Sequence, residues 1–85
     1  MKNVNEIRIE AIRLINKVII LKANVANGCF SDKALLAEQM PRIDAIKNWA
    51  VQNNQLAEIQ SYFNTHNFGQ NNQFAAREIK SIFFN

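Results

Sequence analysis

Residues 3–28 read NVNEIRIEAIRLINKVIILKANVANG, and the spacing of the apolar residues in this stretch decides the fold. Val4, Ile7, Ala11, Leu14, Val18, Leu21 and Val25 recur at alternating spacings of three and four. That is a heptad seam, which an α-helix brings onto one face. Asn3 followed by Glu6 has the form of a capping box, in which the side chains at the two positions satisfy amides that the first turn leaves unpaired. Glu6 and Glu10 lie toward the start and Lys17 and Lys22 toward the end, as the helix dipole prefers. Asn27-Gly28 supplies a stop, because glycine readily takes the left-handed backbone that closes a helix. Residues 18–20 are β-branched and would suit a strand on their own. The seam outlasts them in both directions, so the prediction is a helix throughout.

Moving outward, Cys29 and Phe30 fill a tight connection, and Ser31-Asp32 is expected to cap a second helix. Leu35, Leu36, Met40, Ile43, Ile46 and Ala50 mark its inner face. Pro41 falls inside it and must either kink the helix or restart it. The next break is expected at 51–55, although Trp49, Leu56, Ile59 and Phe63 keep helical phase across it. Leu56, Ile59 and Phe63 line a third, short helix ending near Thr65 or His66, and 67–71 form a loop. Asn71 or Asn72 can cap a last helix whose apolar face holds Phe74 or Ala75, Ile79, Ile82 and Phe83. At about 1.5 Å per residue the first helix spans roughly 36 Å, and the segment 31–53 nearly as much. A short connection between elements of equal length makes them antiparallel neighbours. The expected architecture is all-α: a small three- or four-helix bundle opening with a long antiparallel helical hairpin, one domain over residues 1–85.

Composition narrows the class. The 85 residues are 48% hydrophobic and 20% charged, which is globular rather than disordered. Two glycines and one proline are too few for the turns of an all-β sandwich or barrel. One cysteine cannot form an internal disulfide, which suits a reducing compartment. Met1 and Lys2 are followed by polar residues and two glutamates, not by the apolar segment of a secretory signal. The longest apolar run, residues 18–21, is far below the roughly 18–20 residues of a membrane span. The expectation is therefore a cytoplasmic protein without a membrane partner. The net charge of +3 resides in residues 1–22, since acids and bases balance over 23–85.

Groups for catalysis are sparse. His66 is the only histidine, and Asp32, Glu38, Asp44, Glu58 and Glu78 all lack the three- or four-residue spacing to it that puts two metal ligands on one helix face. Cys29 sits beside a helix end, where a small linker cysteine is the simpler reading. Ser31, Ser61 and Ser81 have no adjacent histidine, and Gly28 and Gly69 are isolated rather than part of a phosphate-binding loop. The expectation is a protein that is not an enzyme, with no cofactor and no metal.

Two binding readings remain. Residues 56–63 and 72–84 could form a helix-turn-helix presenting Gln73, Arg77 and Lys80 to base edges. Against it, the intervening segment exceeds the usual three- or four-residue turn, and 48–85 carries no net charge to hold phosphates. The stronger signal is excess apolar width. Beside its seam the first helix carries Ile9, Ile12, Ile15, Ile19 and Ile20, so it is apolar over most of its circumference around residues 12–21. Ile12, Ile19 and Ile20, with the C-terminal Phe83 and Phe84, are the candidate protein interface, and a homodimer is the least demanding way to cover them. The competing solution wraps the third and fourth helices far enough round to bury them internally. The expected function is a small non-catalytic protein-binding module of inhibitor, immunity, anti-defence or adaptor type, self-associating. The alternative is a small nucleic-acid-binding regulator using the C-terminal helix pair.

Overall fold

A computed structural model describes residues 3–66 and 73–84, with side chains except at 73–76. Four helices follow in order: α1 (Val4–Ala26), α2 (Asp32–Gln52), α3 (Leu56–Thr65) and α4 (Gln73–Phe84). There is no strand among the described residues. The expected loop over 67–71, the expected caps Asn71 and Asn72 and the side chains of Phe74 and Ala75 lie outside the described residues; the last helix is described from Gln73.

The ends of α1 follow the sequence. Asn3 Oδ1 accepts from the Glu6 amide at 2.9 Å. At the other end Gly28 takes φ +97°, its N–H donates to the Val25 carbonyl at 3.1 Å, and the Cys29 N–H donates to that of Asn24 at 2.9 Å. This is a Schellman closure. The turn that follows differs from expectation at Ser31, whose backbone is already helical and whose side chain makes no capping hydrogen bond. The amides of Asp32 and Lys33 donate instead to the carbonyls of Cys29 and Phe30, so the tight turn satisfies two donors of the first turn, including the Lys33 amide that a serine cap could have served. Asn24 Nδ2 donates to Asp32 Oδ2 at 3.0 Å, which ties the two arms of the hairpin across its tip.

α2 passes through Pro41 as one helix rather than restarting there. Pro41 is exposed, and so is Ala37, whose carbonyl loses its helical donor, so water can take that bond. The break expected after residue 51 is real and has a second Schellman closure. Asn54 sits at φ +57°, its N–H donates to Val51 and the Gln55 N–H donates to Ala50 at 2.8 Å. Asparagine is the residue after glycine that tolerates this backbone.

The core takes Ala11, Ile15, Val18 and Ile19 from α1, Ile43 and Ala50 from α2, Ile59 and Phe63 from α3, and Ile79 and Phe83 from α4. It corrects the seam. Ala11, Val18 and Leu21 are buried, but Ile7, Leu14 and Val25 are only half-buried and Val4 is exposed, while Ile15, outside the seam, is fully buried. At about 100° per residue the buried stripe is rotated by roughly 40° from the seam. The cause is that α1 has neighbours on two flanks. α2 packs along one, and α4 and the start of α3 share the other. Arg8 Nη1 donates to Gln55 Oε1 at 3.0 Å just before α3, and Lys22 pairs with Glu78 of α4 at 3.4 Å. α3 thus lies beside the first part of α1 and α4 beside the later part. Lys47 of α2 donates to the Ile82 carbonyl at 2.9 Å, placing a cation at the negative end of α4. On α2, Leu35 is at the exposed edge of the expected inner face and Gln39 occupies the buried stripe in its place.

Candidate functional site

On one side of the hairpin α1 and α2 leave an open groove of about 450 Å³, lined among the described residues by Glu10, Leu14, Arg42, Ala45 and Ile46. Leu14 and Ile46 are half-buried and, with the exposed Ala45, form its apolar floor, while the charged Glu10 and Arg42 are exposed along its rims. The helical repeat explains the placement. Glu10, Leu14, Lys17 and Leu21 follow one another at i, i+4, i+7 and i+11, and so do Glu38, Arg42, Ala45 and Trp49. Each set is a single stripe along its helix. The groove is lined by Glu10 and Leu14 of the first and by Arg42 and Ala45 of the second, and the stripes continue beyond it toward the hairpin tip with Lys17 and Glu38. The Asn24–Asp32 bond sets the register between them. Lys17 lies seven residues before Asn24 and Gln39 seven after Asp32, so Lys17 is level with the turn that carries Glu38. Glu10 is likewise level with Ile46 and about one turn from Arg42.

The candidate interface read from sequence does not survive as a single surface. Ile19 and Phe83 are buried within the chain's own core, because α3 and α4 cover the flank of α1 that the hairpin leaves open. Ile12 and Phe84 are half-buried and pack against that core, the Phe84 ring lying 4.9 Å from Phe83 and 6.4 Å from Phe63. Ile20 alone stands out, 59% exposed. Ile9, on the same face, is eleven residues away with Arg13 and Asn16 between them, so the two do not form one patch. The most exposed aromatic among the described residues is Phe30 at the hairpin tip, 68% exposed, with the Lys33 ammonium 5.2 Å from its ring centre.

Of the candidate nucleic-acid contacts, Arg77 and Lys80 are exposed on α4, and the side chain of Gln73 lies outside the described residues. Glu78 is drawn to the opposite flank of α4 by Lys22, away from these cations. α3 and α4 each pack on the hairpin, and they are joined by the seven-residue segment 66–72, longer than a helix-turn-helix turn.

The reactive side chains have local roles. The His66 ring stacks on Tyr62 at 4.1 Å, and its Nδ1 donates to the Tyr62 carbonyl at 2.8 Å, closing α3. Cys29 is a free, exposed thiol in the hairpin turn. Among the described residues no three His, Cys, Asp or Glu side chains are grouped to hold a metal ion, and no helix is long and apolar enough to cross a membrane. Compared with protein families, with characterised proteins and with solved structures, the chain matches none.

Sequence reasoning missed the groove and Gln39. The signal for the groove was present in the two i, i+4, i+7, i+11 stripes, each carrying one acid and one base beside apolar residues. Gln39 carries no signal of its own, since a glutamine between Glu38 and Met40 reads equally well as a surface residue.

Proposed function

We propose that the chain is a small non-catalytic protein-binding module, of inhibitor, immunity, anti-defence or adaptor type, that acts through its helix surfaces and self-associates. One observation carries this reading. The hairpin keeps an open groove with an apolar floor of Leu14, Ala45 and Ile46, while α3 and α4 are used on other sides. A contiguous apolar floor with charged rims is the usual build of a surface for another helix. Affinity capture with the wild type and with Ala45→Arg tests it. A protein partner, either another chain or the protein itself, should be held by the wild type and lost by the variant. Capture unaffected by Ala45→Arg refutes the assignment of the groove.

A second reading, a nucleic-acid-binding regulator, gains support from one feature. With Glu78 paired to Lys22, Arg77 and Lys80 face solvent on α4 without that acid beside them. Two cations make a small phosphate footprint, and the salt slope of binding reports how many phosphates are engaged. A titration of generic duplex DNA at rising salt distinguishes the readings, since only the second expects a steep salt dependence that Arg77→Ala and Lys80→Ala reduce.

A further inference from the structure

We infer that the occupant of the α1–α2 groove is a second copy of this chain, bound about a two-fold axis parallel to the hairpin helices, so that α1 of one protomer lies against α2 of its partner. This rests on the reading of the chain as a protein-binding module and names the partner.

The rim charges point to self-recognition. The α1 stripe carries Glu10 at the groove and then, seven residues nearer the hairpin tip and beyond the groove lining, Lys17. The α2 stripe carries Glu38 nearer the tip, beyond the groove lining, and Arg42 at the groove one turn farther from it. At the tip end α1 is therefore basic and α2 acidic, and at the far end the signs are reversed. The four charges sum to zero, so the face offers no net field to a nucleic acid or to a strongly charged protein. Under a two-fold axis parallel to the helices every level is kept and the two helices exchange places. Lys17 then meets Glu38 of the partner, and Glu10 comes within one turn of the partner's Arg42. Each contact occurs twice because a two-fold interface is self-complementary. Among the described residues Lys17, Glu38 and Arg42 make no ion pair within the chain.

Size is consistent with this. The molecule is 37 Å in its longest dimension. Two adjacent helices are about 20 Å across, so the face offers roughly 700 Å², near the ~800 Å² per partner of a standard interface. The half-buried Leu14 and Ile46 with exposed Ala45 sit between the charged rims, as the apolar centre of an interface requires.

Sedimentation equilibrium with charge exchange is the test. The wild type should be dimeric at micromolar concentration, and Ala45→Arg should be a folded monomer by circular dichroism. Lys17→Glu and Glu38→Lys should each weaken the dimer about tenfold, by turning two attractive contacts repulsive. Mixing the two single variants should restore association, because each then meets its opposite on the other chain; no contact within one chain produces that rescue. If instead Glu10→Lys with Lys17→Glu in one chain is what restores the dimer, α1 meets α1 and the proposed axis is overturned. A wild type that stays monomeric at several hundred micromolar overturns the second-copy occupant. If Ala45→Arg still abolishes capture of a different protein, the protein-binding reading stands while the dimer falls.

Discussion

Among the described residues Gln39 is the polar side chain most completely enclosed by the fold. It is 3% exposed, and its Oε1 finds no hydrogen-bond partner among the described residues. A buried acceptor left unpaired costs about 1–3 kcal/mol, while replacing it by an apolar group of the same shape avoids that cost. Methionine has nearly the length and flexibility of glutamine and a similar helix propensity. A volume-conserving core exchange loses less than about 1.5 kcal/mol through imperfect packing. Gln39→Met is therefore expected to stabilise the protein by about 1 kcal/mol. Urea unfolding should show a higher midpoint at unchanged slope, and the melting temperature should rise by about 4–8 °C for a domain of this size. Gln39→Glu supplies the opposite test. Burial disfavours the carboxylate, so this variant should lose stability as pH rises above about 4.3, the unfolded value of a glutamate. If Gln39→Met destabilises by more than about 1 kcal/mol, the oxygen is satisfied by a bound water or by another group, and the reasoning fails.

Three further outcomes follow from the burial pattern and the caps. Ile15→Ala should cost about 2–5 kcal/mol because Ile15 is wholly enclosed, and Leu14→Ala should cost clearly less because Leu14 is half-buried; equal losses in chemical denaturation would contradict the rotated core stripe. Ile20→Lys should change stability by less than about 0.5 kcal/mol and leave sedimentation behaviour unaltered, and unfolding or dissociation would return Ile20 to a core or an interface. Asn3→Ala should cost about 1 kcal/mol, while Ser31→Ala should cost little because Ser31 makes no capping bond; calorimetry on the pair reverses this assignment if Ser31→Ala proves the costlier.

The hairpin was legible in the sequence because its determinants are local. Asn3 caps its own helix, Gly28 needs only its own φ, and the length of α1 follows from its apolar spacing. What could not be read was where neighbours would fall around α1. Ile15 and Leu14 are both apolar and adjacent, and only the position of α4 and α3 makes Ile15 the buried one. Ser31 shows the same limit at smaller scale. Its identity suits a cap, but the turn already satisfies Asp32 and Lys33 through the carbonyls of Cys29 and Phe30. The groove was the least legible feature, since its two rims lie on different helices and depend on the register that the Asn24–Asp32 bond fixes.

The surplus of isoleucine on α1 thus has a different meaning from the one its count suggests. An apolar arc covering more than half a helix requires two neighbours, and a hairpin partner supplies one. Because α3 and α4 lie along different parts of α1, together they supply the second, and Ile12 and Ile19 are used there. What remains exposed on the far side, Ile9 and Ile20, is interrupted by Arg13 and Asn16, and isolated apolar residues of that kind are ordinary on a protein surface. The flank used in the proposed dimer is the one the heptad seam marked, for a reason the seam alone does not contain. Leu14 belongs to the seam but lies off the centre of the core, so it is only half covered by α2 and forms the groove floor with Ala45 and Ile46. A continuous apolar floor between rims of reversed charge order is a better basis for association than a larger number of isoleucines that the chain already covers itself.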